Sequence, residues 1–550
     1  MKFLAFIITC FLLNTINGFS QEQEVFTSNN QSISIANKID LYHDLYLPNN
    51  AKNTYETILI RTPYAKQNAA LFGQFFAKHN YAVVIQDVRG KNKSEGTFVP
   101  FINERSDGLE TLNWIADQKW SNGKIAAWGS SYLSYCALIL ADTNHPALKS
   151  VFNLSGWIDG EKVNNPGGAL HQMLIIPWLL SDGQTSIASE QGLDLEEMFA
   201  YKPLRDAIPG NADIFRDNKI DLSGVSKNTT SFNYKNVNIP VFHINGWYDF
   251  TAQSTIDAYS ELHKHSKSKQ QLVLGPWYHN QIYEDSNEIG DYMLPDSGIM
   301  EMEELLEISV KWFDNTLRQG SSKSSDKNIK YYVLFEDAWH NSKQWPPKHR
   351  KEELYLGSNN LLTYKKAKSL NSESSFLFNP EKPTPTLGGA NFYFFADKMG
   401  IKDQNEIERR DDVLLFTSSA FDRDKIIAGN ITLDLYIKTE GKSTDFTAKL
   451  TLVDTNGTSR NIVDGIVRVS KNELKNSVTN VKIDLGDTAF KVLRGENLRL
   501  QISSSNYPKF NRNPNTGEDP LDALVYKEVE QTILHSKKHP SKLILPILKN

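Results

Sequence analysis

Along residues 22–48 ("EVFTSNNQSISIANKIDLYHDLYLP") apolar and polar positions alternate with the two-residue period of antiparallel strands or hairpins. From about residue 55 the pattern changes, and short β-branched runs alternate with helical spacing. "YETILIRTP" is followed by the amphipathic "AALFGQFFAKHN", then "YAVVIQDVRG", the helical "RSDGLETLNWIADQK", the strand-like "KIAAW", and a helix beginning near Tyr132. "SVFNLSG", "IPVFHING" and "QQLVLGPW" continue the series. Such alternation predicts an α/β fold, a mostly parallel sheet with helices on both faces.

Between "SVFNLSG" and "IPVFHING" about eighty residues carry no strong strand signal. Their Leu, Met, Trp and acidic residues ("LHQMLIIPWLLSDGQ", "ASEQGLDLEEMFAYKPL") fit helical spacing and predict an inserted cap over the C-terminal edge of the sheet. "MEELLEISVKWFDNTLRQG" is the helix expected to close this unit, with Gly320 as its C-cap, and the polar "GSSKSSDKN" reads as a linker. Beyond about 350 the helical pattern disappears. "KEELYLGS", "NFYFF", "DVLLFTS", "NITLDLYIKT", "DFTAKLTLVD", "IVDGIVRVS", "VTNVKIDLG" and "LRLQISSS" are short strands between turn residues, which predicts a β-sandwich of jelly-roll topology. The expected units are a leader at 1–20, an α/β domain at 21–155 and 236–345, a helical cap at 156–235, and the jelly roll at 350–550.

The leader is expected from "MK", the apolar "FLAFIITCFLL" and a polar stretch containing the small residues Gly18 and Ser20. This is the form of a secretory signal, and it predicts a secreted or periplasmic protein. Composition changes the picture little: 550 residues, 40% hydrophobic and 23% charged, fit a soluble protein of at least two domains. No later run is apolar enough to enter a membrane. A net charge of −5 without a basic stripe gives no reason to expect a nucleic-acid partner. Of the two cysteines, Cys10 lies in the leader and Cys136 in an apolar run, so no disulfide is expected. Neither His-Glu-x-x-His nor a paired-cysteine motif is present, and no metal or other cofactor is expected.

The chemistry is carried by "KIAAWGSSY", a strand running into Gly129, Ser130, Ser131 and a helix. A serine at such a turn is thrust over the sheet edge, with the positive end of a helix behind it. Glycine two positions before the nucleophile leaves room for the turn; that selects Ser131, since Ser130 would have Trp128 there. Asp249 lies just past the strand "IPVFHING" and His279 just past "QQLVLGPW", so acid and base candidates follow the serine at the same edge. In that arrangement His279 takes the proton of Ser131, and Asp249 holds the imidazole. Taken singly, Asp249 also suits a helix N-cap before "FTAQSTIDAY", and His279 a solvated loop; His243, inside its strand, reads as packing.

The chain resembles the serine-hydrolase family that includes cocaine esterase, glutaryl-cephalosporin acylase, α-amino acid ester hydrolase and Xaa-Pro dipeptidyl-peptidase. The resemblance rests on "RTPYAK" (61–66), "QDVRGKNKSEGTF" (86–98), "WSNGKIAAWGSSY" (120–132), "PGGAL" (166–170), "NGWYDF" (245–250), "GPWYHN" (275–280) and "SSSNYPKFNRNPNTG" (503–517), in the family's order along nearly the whole chain. It implies an α/β-hydrolase core, a helical cap and a C-terminal jelly roll. It also implies Ser131, Asp249 and His279 as the triad, with the Tyr64 hydroxyl and the Tyr132 backbone N–H as oxyanion donors. An oxyanion donor of this kind contributes about 2.7–4 kcal/mol to lowering the barrier.

In "QDVRG", Asp87 and Arg89 are expected to pair at the strand end, with Gly90 permitting the turn. Two departures stand out: Ser134 replaces a family glycine three residues after the nucleophile, and Phe250, Thr251 and Ala252 follow the acid where amino acid ester hydrolases carry carboxylates. Trp157, Trp178 and Phe250 are candidates to line an acyl pocket. The expected activity is hydrolysis of a small-molecule ester or amide through an acyl-enzyme. The alternatives are an Xaa-Pro dipeptidyl-peptidase and, in another class, a non-catalytic protein whose jelly roll binds a polysaccharide or surface ligand. No oligomeric state follows from the sequence.

Overall fold

The computed structural model describes residues 25–50, 52–179, 194–207, 231–284, 286–320, 328–392, 399–474 and 477–549. The expected leader at 1–20 and the cap segments 180–193 and 208–230 lie outside the described residues.

Ten strands form the first sheet: β1 (Val25–Ile35), β2 (Ile39–Pro48), β3 (Tyr55–Thr62), β4 (Ala82–Asp87), β5 (Ser121–Ser130), β6 (Leu148–Leu154), β7 (Val241–Tyr248), β8 (Gln270–Tyr278), β9 (Ile329–Val333) and β10 (Ala338–Ser342). Their order is β1-β2-β4-β3-β5-β6-β7-β8-β9-β10. Neighbours from β4 to β9 run parallel, while the hairpin β1–β2 and the strand β10 close the two edges antiparallel.

The central strands are apolar at successive positions because both faces are covered. Leu59, Val84, Ala127 and Val151 enter one core, with Leu138 of α3 (Tyr132–Leu138) and Leu112 of α2 (Glu104–Ala116). Their neighbours Ile58, Ile60, Val83, Ala126 and Phe152 point the other way. There they meet Phe76 of α1 (Ala70–Lys78) and Phe313 of α8 (Met302–Phe313). Helix α7 (Ala252–His265) follows β7 and buries Leu262 in the first of these cores. Between β6 and β7 the described part of the insertion is three short helices, α4 (Gly160–Asn164), α5 (Gln172–Trp178) and α6 (Leu195–Ala200).

The C-terminal unit is β-rich, with an 11-stranded hydrogen-bonded sheet. Its strands are β11 (His349–Gly357), β12 (Leu361–Thr363), β13 (Glu373–Phe378), β14 (Leu414–Ser418), β15 (Lys425–Thr439), β16 (Thr444–Val453), β17 (Ser459–Val469), β18 (Thr479–Val492), β19 (Asn497–Ser503), β20 (Val529–Leu534) and β21 (Lys542–Leu548). The order is β13-β20-β15-β21-β11-β12-β14-β19-β16-β17, with β18 on β15; every pairing is antiparallel except β12–β14.

One apolar cluster runs from Leu433, Phe446, Ile483 and Leu500 of this unit to Trp247, Tyr248 and Tyr331 of the first sheet. The β-rich unit therefore packs on the end of the sheet from which Asp249 leaves. "NFYFF", expected as a strand, begins in a loop: Asn391 and Phe392 lie outside the named strands, and the rest of it lies outside the described residues. Phe392 packs instead on Phe250, with ring centroids 5.5 Å apart.

Candidate active site

β5 ends at Ser130 and α3 begins at Tyr132, so Ser131 alone makes the turn. Its backbone is at φ 55°, ψ −124°, a strained conformation for a residue with a side chain. Hydrogen bonds hold the strain: Ser131 N donates to Leu154 O (2.9 Å), and Ser131 O accepts from the N–H groups of Ser134 (2.9 Å) and Tyr135 (3.1 Å). A Cβ on Gly129 would lie 2.2 Å from both C and O of Leu133, so the helix can return across the strand only over a glycine. Ser131 is partly exposed, whereas His279 and Asp249 are buried.

Asp249 directly follows β7 and His279 directly follows β8. The last residues of these two strands approach because Gly246 has no side chain: a Cβ there would sit 2.1 Å from Trp277 O. Asp249 Oδ2 is 2.9 Å from His279 Nδ1, and His279 Nε2 is 2.9 Å from Ser131 Oγ. The other carboxylate oxygen, Oδ1, accepts from the backbone N–H of Thr251 (2.8 Å) and from its hydroxyl (2.8 Å). Burial pushes the Asp249 carboxyl up, but the charge and hydrogen bond of His279 and the donors of Thr251 and Ser155 outweigh it and hold the group below its ordinary value. Asp249 thus combines the two readings: it accepts the Thr251 N–H at the start of α7 and carries the histidine as well.

Tyr64 stands in the loop after β3, half buried. Its hydroxyl oxygen accepts from Trp178 Nε1 at 3.1 Å. Trp178 stacks on the Tyr132 and Phe101 rings (centroids 5.9 Å in both cases), so the cap helix α5 lies over the start of α3. Beneath, the Tyr132 hydroxyl donates to buried Glu104 Oε1 (2.5 Å) and accepts from Phe101 N (3.0 Å), which fixes the residue whose N–H opens the helix. Burial, then the Glu104 charge, raises the Tyr132 phenol well above its usual range. The Phe250 ring lies 4.4 Å from the His279 ring, and Phe392 lies 6.1 Å from it. Trp157 is buried one layer back, against Phe101 and Tyr135. The structure therefore brings Ser131, His279, Asp249 and Phe250 together, brings Trp178 to Tyr64, and leaves Trp157 behind Phe101.

The sequence profile of the X-Pro dipeptidyl-peptidase (S15 family) matches residues 38–281, and that of the X-Pro dipeptidyl-peptidase C-terminal non-catalytic domain matches residues 309–544. The cocaine esterase of Rhodococcus sp. (strain MB1 Bresler) is 26% identical over 576 residues, spanning 95% of this chain and 98% of that protein. The chain belongs to the S15 serine-hydrolase family.

Two solved structures share the fold of this S15 hydrolase, an α/β-hydrolase with a C-terminal β-rich domain. An aminopeptidase from the marine sediment archaeon Thaumarchaeota archaeon superposes with a TM-score of 0.82 at 20% identity, covering 98% of this chain and 99% of that one. An α-amino acid ester hydrolase gives 0.77 at 21% identity, covering 96% and 98%.

Three features of this S15 hydrolase correct or extend the sequence reading. Arg89 does not pair with Asp87. It forms a bidentate contact with Asp107 (2.6 and 3.0 Å), while Asp87 pairs with Lys66 (3.2 Å), because the RTPYAK loop folds back over the end of β4. Ser134, where the family has glycine, adds a polar link: its hydroxyl hydrogen-bonds Asn153 Oδ1, and Asn153 Nδ2 meets His243 Nδ1 at 2.9 Å. Burial holds that histidine neutral, pulled down to about 3. Thr251, Glu104 and Phe392 carry little signal as site residues in the sequence. Thr251 stands there only as a missing carboxylate, Glu104 sits unremarkably in a helix, and nothing in "NFYFF" tells that a second unit supplies a ring to the histidine. Among the described residues, no group of three His, Cys, Asp or Glu side chains is arranged to hold a metal ion. Burial raises the Cys136 thiol far above its normal range, as suits a side chain that only packs.

Proposed function

We propose that this S15 hydrolase cleaves a carboxylic ester, or a reactive amide, through an acyl-enzyme on Ser131. His279 Nε2 takes the Ser131 proton as Oγ attacks the carbonyl carbon, and the imidazolium then passes that proton to the departing alkoxide or amine. Water, deprotonated by the same nitrogen, attacks the acyl carbon and releases the acid. Asp249 keeps the proton on Nδ1 and stabilises the imidazolium. The Tyr64 hydroxyl and the Tyr132 N–H receive the developing oxyanion. One observation carries this reading: the unbroken series Asp249–His279–Ser131, with 2.9 Å at both links, ending on a serine held in a strained turn.

An ester is favoured over a peptide because the side chains gathered on His279 and Tyr64 are aromatic: Phe250, Phe392 and Trp178. The cocaine esterase similarity supports the same choice. The S15 profile match favours the second reading, an Xaa-Pro dipeptidyl-peptidase. Purified protein is assayed in parallel on aryl esters, acyl amides and Xaa-Pro-nitroanilides, with fluorophosphonate labelling of wild type and Ser131→Ala. Ester turnover and labelling that both vanish in Ser131→Ala are expected. Release from the Xaa-Pro substrates alone selects the peptidase. Labelling that persists in Ser131→Ala rejects the mechanism. The leader pattern at 1–20 extends the proposal to a secreted or periplasmic location, and N-terminal sequencing of the exported protein tests it by finding, or failing to find, a start near residue 21.

A further inference from the structure

Lys66 lies two residues beyond Tyr64, and its side chain is fully buried, as is that of Asp87 at the end of β4. Asp87 grips it twice: Oδ2 lies 3.2 Å from Nζ, and Oδ1 accepts the backbone N–H of Lys66 at 2.8 Å. A third contact comes from the edge hairpin of the sheet, next to β4. The β1–β2 ladder shifts register between Ser28 and Gln31, and in that bulge Asn30 takes φ 57°. Its N–H donates to Asp44 Oδ1 (2.8 Å), and its own Oδ1 accepts from Lys66 Nζ (3.1 Å). Asp44 Oδ1 stands 3.9 Å from the ammonium. Bulges re-aim side chains, and this one turns an asparagine of the N-terminal hairpin onto a lysine of the Tyr64 loop.

The residue between Tyr64 and Lys66 shows what the grip is for. Ala65 has φ 67° and ψ 118°, a conformation that a residue with a Cβ keeps only when its neighbours over-determine it. A buried ion pair whose ammonium also donates to a fixed side-chain amide is a weak source of net stability but a strong source of fixed geometry. We propose that the Lys66–Asp87 pair, completed by Asn30, is the positioning device for the Tyr64 hydroxyl, holding the loop so that the phenol meets the oxyanion of the transition state. The proposal rests on the reading of Tyr64 as an oxyanion donor. Lys66, Asp87 and Asn30 touch no substrate; they act through Tyr64.

The test is a set of double-mutant cycles on p-nitrophenyl acetate with Tyr64→Phe, Lys66→Met, Asn30→Ala and the two doubles that contain Tyr64→Phe. Lys66→Met is expected to lower kcat about tenfold or more with KM within about threefold, and Asn30→Ala to lower kcat about two- to fivefold. In the Tyr64→Phe background each loss is expected to shrink below about twofold, since the group being positioned is already gone. Equal losses in both backgrounds overturn the proposal. If Lys66→Met is not folded by circular dichroism and gel filtration, the Asn30→Ala cycle decides by the same criterion, because it removes one acceptor and no charge. A Tyr64→Phe enzyme with unchanged kcat rejects the oxyanion role of Tyr64 itself. A slowed Tyr64→Phe enzyme with additive doubles rejects only the positioning.

Discussion

Asp249→Asn separates charge from geometry at the candidate triad. The new amide must place its carbonyl on one side and its NH2 on the other. The backbone N–H of Thr251, 2.8 Å from Oδ1, cannot rotate away, whereas the Thr251 hydroxyl can turn to Ser155 O at 3.1 Å. The carbonyl is therefore pinned toward Thr251 and the NH2 faces His279 Nδ1. Two donors cannot meet there, so the imidazole proton moves to Nε2, which lies 2.9 Å from Ser131 Oγ and can then no longer accept a proton. Flipping the amide to restore the productive tautomer would lose the Thr251 hydrogen bond and bury an unmatched donor, a cost on the order of 2–3 kcal/mol, or about a hundredfold in population. The imidazolium also loses its counter-charge in the transition state. Together these give an expected fall in kcat of about 10³–10⁴ with the fold intact. Single-turnover acylation by a p-nitrophenyl ester, read beside circular dichroism, checks it. A folded Asp249→Asn enzyme within about tenfold of wild type would refute the reasoning, because the donor pattern at Thr251 leaves no other outcome.

Four further outcomes are expected. Trp178→Phe keeps the stacking on Tyr132 but removes the donor to Tyr64, and kcat should fall by about three- to tenfold, the worth of one neutral hydrogen bond, measured on an aryl ester. Ser134→Gly restores the glycine common in the family, yet it strips Asn153 Oδ1 of its donor and puts glycine inside a helix; thermal or urea unfolding should show a loss on the order of 2–3 kcal/mol, and an unchanged midpoint would contradict the polar chain to His243. Burial pulls the Lys449 ammonium down to about 8, so its stabilising contribution is present above the unfolded value near 10.5 and lost as pH falls through 8. Lys449→Met removes the cost of burying the ammonium at lower pH; its unfolding free energy relative to wild type, from urea titration, should be higher at pH 7 than at pH 10 by on the order of 3 kcal/mol, and a pH-independent difference would refute it. Ala65→Gly relieves the strained backbone and should leave stability equal or up to about 2 kcal/mol higher, while kcat falls about threefold or more as Tyr64 loosens; a clear loss of stability would show that the conformation is unstrained.

The α/β unit was legible because its code is local and repeated: each apolar run with a helix behind it became one parallel strand, and Ser131, Asp249 and His279 all stand where such a run stops. The β-rich unit was legible as a class but not strand by strand. "ESSFLF", "VEQTIL" and "KLILPIL" became β13, β20 and β21 through pairing with distant partners, which a single short run does not announce. The same limit applies to the site. Asp87 was read with its near neighbour Arg89, since proximity in sequence is all that a motif offers. The true partner, Lys66, is reached only when β3 and β4 lie side by side. Phe392 and Trp178 are further cases of aromatic residues whose roles are set by what a second unit or an insertion lays over the sheet edge.

The backbone strain of the site follows from that edge. Ala65, Ser131 and Ser155 have φ of 67°, 55° and 51°, and they follow β3, β5 and β6, three strands adjacent in the sheet. A parallel strand ends with its carbonyls and amides pointing at its neighbours, so each strained residue can be tied to the next strand: Ser131 N donates to Leu154 O, and Ser155 N donates to Ile244 O, both at 2.9 Å. The ladder that builds the sheet thus also holds the conformations that throw Ser131 outward and set Ser155 O beside the hydroxyl of Thr251, the residue whose backbone N–H holds Asp249. Ala65 is the exception. The β3–β4 ladder ends at Thr62–Asp87, and past it only Val88 N reaches back to Thr62 O, so the loop beyond has no neighbouring strand to tie it. Side chains must do there what the ladder does elsewhere, which is the physical reason a buried lysine, an aspartate and a bulged asparagine converge beneath Tyr64 and nowhere beneath Ser131.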